Sequence, residues 1–158
     1  MIVVSDTSPV LNLARINRLE LLPLLCKQVI VPSAVYKELK ESKRDLPPAI
    51  NLASEPWLIV AAMKNQAREQ ELREHLDPGE AEAIVLAIDR RADLLLVDER
   101  HGRRTATAAG LTITGLLGVT ATAKHAKLIH QAKPVLDELI ETARFWIGPH
   151  LYAEVLTA

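Results

Sequence analysis

Two aspartates directly follow apolar runs of the sequence. Asp6 ends the run IVVSD near the N-terminus, and Asp98 ends the run DLLLVD later in the chain. A charged carboxylate at the end of a buried apolar segment is costly unless a cation or hydrogen-bond donors compensate it. Either aspartate alone is readily explained as a turn or capping residue. Two of them at equivalent positions favour a site where they meet, and carboxylate oxygens suit Mg²⁺ or Mn²⁺.

Another acidic group opens the segment DPGEAEAI at residues 77–84. The spacing of Asp77 and Glu80 fits a capping box, with Pro78 at the first helical position, and this explains Glu80 without any catalytic role. A helix start could equally direct Glu80 toward the strand ends, and the spacing does not decide between the two. Glu82 lies two residues on, roughly 200° around the helix, so it must point elsewhere.

The charged residues around these acids have both structural and functional explanations. Glu38 borders the apolar stripe of a predicted helix, and taken alone it predicts a solvent-exposed position. Three arginines follow Asp98 closely: Arg100, Arg103 and Arg104. Basic side chains beside an acidic edge would position the phosphates of a phosphodiester substrate. The structural alternative is a solvated loop around Gly102.

The elements that must position these residues alternate along the chain between short strands and helices. Apolar runs predict five strands, at residues 2–4, 28–32, 57–62, 93–98 and 111–115. Helices are predicted at 9–25 with a break at Pro23, and at 33–42, 77–92, 103–110, 116–129 and 135–147, while 64–76 fits a charged helix or a mobile arm. Ser8 and Ser33 are the expected N-caps of the first two helical regions. Strands that are apolar on both faces predict a three-layer α/β/α sandwich around a mostly parallel sheet. In such folds ligands bind beyond the carboxyl ends of the strands, where Asp6 and Asp98 would lie.

Length and composition limit the remaining possibilities. The 158 residues fit one domain spanning 1–158, and a net charge of −1 gives no overall field that would attract nucleic acid. The single cysteine, Cys26, can form no intramolecular disulfide, the N-terminus has no basic signal region, and no apolar run reaches the ~18 residues of a membrane span. We therefore expect a cytoplasmic protein with no membrane partner. The few aromatic residues argue against a base-stacking platform.

Four blocks of the sequence, taken in order, resemble the motifs of PIN-domain proteins. They are VVSDTSPVLNLARI, VIVPSAVYKEL, LDPGEAEAIVLAI and DLLLVDERHGR, and GLTITGLLGVTATA at 110–123 resembles a block of a prokaryotic PIN-like branch. PIN domains are metal-dependent nucleases that mostly act on RNA; many are the toxins of toxin–antitoxin pairs, and many form homodimers. The resemblance covers nearly the whole chain. It implies an Mg²⁺- or Mn²⁺-dependent endoribonuclease, with an antitoxin protein and a second copy of the chain as candidate partners.

The resemblance also implies roles for individual residues. The family's first-strand aspartate corresponds to Asp6, and the small hydroxyl residue two places on, which would orient it, corresponds to Ser8. The family's helical glutamate corresponds to Glu38, which would bind a metal through water or complete the shell of a second ion. The acid that opens the central helix corresponds to Glu80, and the aspartate after the fourth strand to Asp98. These two acids and Asp6 would be the principal metal ligands.

Two departures from the family pattern concern the acids. Toxin members usually carry aspartate at the position of Glu80 and a Thr-x-Asp/Asn turn after the later strand, where this chain has DERHGR. The working acid of that turn is either Asp98 or Glu99, and the family's fifth acid has no evident counterpart. The altered turn keeps a second hypothesis open, a PIN-like module that binds RNA or a protein partner without cutting. The C-terminal segment 134–158 would either pack on the core or mediate a dimer contact.

Overall fold

Five short parallel strands form the central sheet of the protein, which we describe from a computed structural model of residues 1–158. The strands are β1 (Val3–Ser5), β2 (Val29–Pro32), β3 (Leu58–Ala61), β4 (Leu94–Leu96) and β5 (Ile113–Thr114). Their order in the sheet is β3-β2-β1-β4-β5, and every pairing is parallel. The predicted sheet is therefore confirmed, and it is entirely rather than mostly parallel.

The direction in which successive strands are added to the sheet reverses beside β1: β2 and β3 lie on one side of it, β4 and β5 on the other. Val4 lies opposite Ile30 of β2 on one side and Leu95 of β4 on the other. Chain connections therefore run in opposite directions away from β1, and the carboxyl end of the gap between β1 and β4 is a topological switch point. Open parallel sheets bind their ligands at such a point because the flanking connections separate there and leave a crevice.

Nine helices surround the sheet. They are α1 (Thr7–Arg15), α2 (Leu21–Cys26), α3 (Ser33–Glu41), α4 (Gln66–Leu72), α5 (Pro78–Asp89), α6 (Arg100–Ala108), α7 (Leu116–His125), α8 (Ala132–Glu141) and α9 (Pro149–Thr157). Two short 3₁₀ turns, Ser42–Asp45 and Leu52–Ser54, lie in the segment that joins α3 to β3. None of the helices combines the length and the apolar character that crossing a membrane would require.

Helices cover both faces of the sheet. α5 contacts β1, β2 and β4, and most of its side chains from Ala81 to Ala87 are buried. α2 contacts β2, and α7 contacts β5. These two helices also contact each other. α5, by contrast, packs with α3, α4 and α6. The result is the three-layer α/β/α sandwich that the sequence predicts.

The C-terminal segment contributes to two apolar clusters. Val135 and Leu139 of α8 belong to the main core, whereas Leu136 packs with Val155 of α9 in a smaller one. The Tyr152 hydroxyl of α9 donates to an Asp137 carboxylate oxygen at 2.5 Å. Trp146, between these helices, is 82% exposed. A dimer contact through this segment stays a prediction.

Some helix boundaries differ from those expected from the sequence. α1 begins at Thr7 with Asp6 as its N-cap, not Ser8, and α3 begins at Ser33 itself, after Pro32. Pro23 does not mark the break between the first two helices, because that break lies between Arg15 and Leu21. Pro23 lies in the first turn of α2, as Pro134 does in α8, where proline removes no intrahelical hydrogen bond.

The segment after β4 is the largest such difference. The sequence predicts a helix at 103–110, but α6 already begins at Arg100 with Glu99 as its N-cap. The turn that contains Gly102 is therefore the first turn of a helix and not a solvated loop. The segment 64–76, for which a mobile arm was the alternative, contains the helix α4.

Candidate active site

Asp6 lies at the carboxyl edge of the sheet, directly beyond β1. Its backbone N–H donates to the Leu96 carbonyl at 2.9 Å, which holds it at the switch point, and the residue is only 4% exposed. Burial raises the pKa of the Asp6 carboxyl from 3.8 to about 7, although the Thr7 backbone N–H acts against this. Three nearby carboxylates raise it further: Asp77, Glu38 and Glu99. A carboxylate in these surroundings is stabilised by a proton or by a cation.

Glu80 stands in the first turn of α5 and is 7% exposed. The Asp77 side chain caps this helix by accepting the Glu80 backbone N–H at 2.8 Å. The reciprocal bond of a capping box, from the Asp77 N–H to the Glu80 carboxylate, is absent, and Glu80 Oε2 is buried without a hydrogen-bond partner. Burial, the adjacent Asp77 side chain and the charge of Asp6 raise the pKa of Glu80 to about 8. The backbone of Glu80 thus serves the cap, while its side chain is left for another role.

Glu38 is half-buried on α3 and turns toward the same edge. The Thr7 hydroxyl donates to its Oε2 at 2.5 Å, which connects α3 to the start of α1. Gly79 allows α5 to approach this carboxylate, since a Cβ at position 79 would stand 2.8 Å from Glu38 Oε1. Burial raises the pKa of Glu38, the bond from Thr7 lowers it, and the charge of Asp77 raises it. The solvent-exposed position that the sequence alone suggests for Glu38 is therefore not where the side chain lies.

An open groove of about 230 Å³ runs beside these acids. Its walls are Asp6, Thr7, Ser8, Leu11, Asn12, Arg15, Glu38, Asp77 and Glu99. Asp77 and Glu99 are the exposed acids of this set, and each is an N-cap, of α5 and α6 respectively. The Glu99 charge raises the pKa of both Asp6 and Glu80, so Glu99 faces the same centre as those two carboxyls. The structure therefore brings together five carboxyl groups from four segments of the chain, since Asp77 and Glu80 both belong to the start of α5. Four of them line the groove, and Glu80 is buried beside it.

Asp98 points in a different direction from Glu99. Its Oδ1 accepts the Leu116 backbone N–H at 3.1 Å, at the start of α7, and the Arg103 guanidinium lies close by. Burial raises the pKa of Asp98 to about 6, against the effect of these two donors, and none of the groove acids other than its neighbour Glu99 contributes. Asp98 Oδ2 is buried without a partner. Of the two candidates in this turn, only Glu99 lines the groove.

The arginines after β4 do not line the groove. Arg103 Nη1 donates to the Val97 carbonyl at 2.9 Å, so its guanidinium binds the backbone just after β4. Arg100 and Arg104 are exposed on α6. The basic residue that does line the groove is Arg15 of α1. A role for the three arginines in binding phosphate stays a prediction.

Two other residues that the sequence predicts near the metal site, Ser8 and Glu82, have partners outside the group of five acids. The Ser8 hydroxyl accepts from Asn12 Nδ2 at 3.0 Å, so it lies on the groove wall without a hydrogen bond to Asp6. Glu82 lies 3.7 Å from Arg73 Nη2, and the same arginine also pairs with the buried Glu69. Glu82 therefore ties α5 to α4 and points away from Glu80, as the helical spacing predicts.

The carboxyl groups fit a hard divalent cation by their chemistry. All five are oxygen donors, burial disfavours the charged form of Asp6 and Glu80, and Glu80 Oε2 has no partner. A cation would relieve each of these costs, and oxygen-only donor sets suit Mg²⁺ or Mn²⁺. As the side chains stand, no three acids, histidines or cysteines are close enough together to hold an ion. Binding would therefore require side-chain rotation around the groove.

Sequence reasoning missed several residues of this groove. Asp77 was expected only to cap α5, which it does, but its carboxylate also raises the pKa of three neighbouring acids. Thr7, Asn12 and Arg15 were not expected at the site. The helical repeat from Ser8 through Asn12 to Arg15 was the available signal, because residues four and three apart share a face of α1.

The fold and the groove together define a class of protein. A doubly wound, fully parallel α/β/α sandwich carries a group of carboxylates from separate segments at its switch point, the arrangement expected of an enzyme or binding protein that holds a divalent cation.

The chain belongs to the PIN-domain family. A family model described as DUF3368, PIN domain, matches residues 2–158, which is nearly the entire chain. No curated protein and no solved structure matches the chain with significance. PIN domains are generally nucleases that depend on divalent metal ions, so the protein has a nuclease fold, and its expected chemistry is hydrolysis of nucleic acid.

Proposed function

We propose that the protein is an endoribonuclease that uses Mg²⁺ or Mn²⁺ to hydrolyse RNA phosphodiester bonds. The observation that carries the proposal is the burial of Asp6 and Glu80 side by side at the switch point, with Glu38, Asp77 and Glu99 around them. A protein gains nothing in stability from such a group, because burial and mutual repulsion both disfavour the charged forms. Membership of a nuclease family supports the same conclusion.

Each acid has a distinct part in this proposal. Asp6 and Glu80, the two most buried, would be the principal ligands of the cation, and Glu99 would complete the set from the start of α6. Glu38, whose Oε2 accepts from Thr7, would act through a water molecule or at a second ion. Asp98 would not bind the cation; it would support the site indirectly, by fixing the start of α7 relative to β4. When bound, the cation would lower the pKa of an attacking water molecule and stabilise negative charge on the phosphate.

Asp77 and Thr7 would hold this arrangement in place. Asp77 fixes the first turn of α5 by accepting the Glu80 N–H, so that the Glu80 side chain starts from a fixed backbone. Thr7 fixes one oxygen of Glu38 and leaves the other free. Because a fixed backbone at Glu80 and one fixed oxygen of Glu38 limit how far these side chains must move to reach a cation, both residues would favour the productive geometry.

Cleavage of single-stranded RNA tests the proposal. Purified wild-type protein is incubated with a labelled RNA in Mn²⁺, in Mg²⁺ and in chelator, beside Asp6→Asn. We expect cleavage that depends on the metal and is lost in the variant. Equal cleavage by variant and wild type, or none under any metal, would contradict the proposal.

A second candidate is a PIN-like module that binds RNA or a protein without cutting. It is favoured by one observation, the lack of any three acids close enough to hold an ion as the side chains are placed. Calorimetric titration with Mn²⁺ separates the two candidates. A nuclease binds the ion, and Asp6→Asn weakens the binding, whereas the module gives no heat of binding.

A toxin role would be a biological use of the same activity. An antitoxin segment would then insert into the acidic groove, and a homodimer could form through the C-terminal segment. Expression of the chain in a bacterial host would arrest growth, and Asp6→Asn would restore it. Normal growth with confirmed wild-type expression would contradict the toxin role without affecting the nuclease proposal.

A further inference from the structure

A second groove adjoins the acidic groove at Arg15. This residue lines the acidic groove on one side, and on its other side it lines a space of about 450 Å³ with Asp45, Thr142, Ala143 and Arg144. The second groove lies between the end of α1 and the residues that follow α8. A polymer lying in the acidic groove can therefore continue past Arg15 toward Arg144.

The second groove carries an incompletely neutralised positive charge. Arg15 Nη1 donates to Asn12 Oδ1 at 3.1 Å, and its Nη2 stands 4.0 Å from the largely exposed Asp45. An ion pair that is this long and this exposed contributes little and is easily exchanged for another anion. Arg144 is exposed and takes part in no ion pair. Two guanidinium groups thus face one weakly held carboxylate.

The groove on the other side of Glu38 has the opposite character. It measures about 470 Å³ and offers two cations, Lys37 and Arg73, but three carboxylates also line it: Glu38, Glu41 and Glu82. Arg73 is already paired with Glu69 and Glu82. A phosphate backbone entering this side would meet net negative charge, so the Arg15 side is the favoured path.

We propose that Arg15 and Arg144 form a subsite for a backbone phosphate of single-stranded RNA, next to the phosphate that the acidic groove would receive. The identity of the substrate rests on the proposed function. Guanidinium groups bind phosphate through paired hydrogen bonds, and two of them at one end of an acidic groove would set the direction in which the strand lies. The subsite gives this chain a phosphate-binding surface that does not involve the arginines of α6.

The test uses Arg144, which is exposed, and leaves Arg15 with its Asn12 contact in place. Arg144 has a left-handed backbone (φ 56°), so asparagine, which tolerates that conformation, is the suitable neutral replacement. Arg91 is a matched control: it is exposed, unpaired and left-handed (φ 50°), and it lies beyond the far end of α5. Arg144→Asn and Arg91→Asn therefore remove the same charge from the same kind of backbone position.

Binding is measured by fluorescence anisotropy of a labelled single-stranded RNA, with every protein also carrying Asp6→Asn so that cutting does not interfere. We expect Arg144→Asn to weaken binding about three- to tenfold and to reduce the slope of log affinity against log salt by about 0.7. Arg91→Asn should leave both unchanged. In protein that keeps Asp6 and so can cleave RNA, Arg144→Asn should raise KM with little change in kcat.

The outcomes separate this inference from the nuclease proposal. If Arg144→Asn binds RNA as Arg91→Asn does, or if no protein binds RNA at all, the subsite is refuted. If the wild type never cuts RNA but Arg144→Asn alone loses affinity, the subsite holds and the nuclease proposal fails.

Discussion

Gly102 stands directly against the carboxylate of Glu80. A Cβ at position 102 would approach Glu80 Oε2 to 2.7 Å and the Val97 side chain to 3.0 Å. Glycine therefore allows the first turn of α6 to lie against the buried acid at the start of α5. The glycine in DERHGR, which in the sequence resembles a loop residue, is explained by this close approach of two helices.

Gly102→Ala is expected to displace Glu80 and to lower RNA cleavage by at least about tenfold. The added methyl group would stand 2.7 Å from Glu80 Oε2, so the carboxylate must shift to make room for it. Overpacking should cost about 1–3 kcal/mol of stability, partly offset by the better helix propensity of alanine. Cleavage rates and thermal unfolding are measured together, with Thr107→Ala, an exposed change on the same helix, as the control. Full activity in Gly102→Ala would show that the position of Glu80 is unimportant.

Glu99 and Asp98 should respond differently to loss of charge. Glu99 lines the acidic groove, so Glu99→Gln is expected to reduce cleavage by about 100-fold or more with little change in unfolding temperature. Asp98 accepts the Leu116 N–H, a bond that Asp98→Asn can keep and Asp98→Ala cannot. Asp98→Asn should therefore retain most activity, and Asp98→Ala should lose about 1–2 kcal/mol of stability. The reverse pattern, with Asp98→Asn inactive and Glu99→Gln active, would assign the working acid to Asp98.

The stability of the metal-free protein should fall as pH rises. The pKa of Asp6 is raised from 3.8 to about 7 and that of Glu80 from 4.5 to about 8, so the folded state binds protons more tightly than the unfolded chain. The contribution of these two carboxyls to the free energy of unfolding is therefore fully present below about pH 4, and it is lost progressively as the pH rises to about 8.

Thermal unfolding in chelator measures this effect. Each carboxyl should cost about 1.4 kcal/mol of unfolding free energy per pH unit until the pH reaches its raised pKa. Between pH 5 and pH 8 the loss should therefore be roughly 4–6 kcal/mol, or on the order of ten degrees in Tm. Asp6→Asn should flatten the dependence, whereas Glu74→Gln, a change at an exposed and unpaired acid, should not. An unchanged slope in Asp6→Asn would show that this carboxyl is not the cause.

The sequence predicts the sheet well because its strands are short, apolar and separated by helices. It also predicts Asp6 at the carboxyl edge of the sheet, since parallel strands end at a common edge. That Asp6 lies at the switch point follows from the strand order, which the sequence does not predict. It could not tell Glu99 from Asp98, because adjacent residues after a strand point in opposite directions and the choice depends on where α7 begins. It could not assign Glu38, whose burial depends on the close approach of Gly79, a contact between distant parts of the chain.

The central claim is that Asp6 and Glu80 hold a divalent cation. The most direct measurement is an anomalous difference map from a crystal of the protein soaked in Mn²⁺. We predict a peak in contact with carboxylate oxygens of Asp6 and Glu80, on the side of Glu99 rather than of Asp98. No peak in the acidic groove at saturating Mn²⁺, or a peak bound by other residues, would contradict the account.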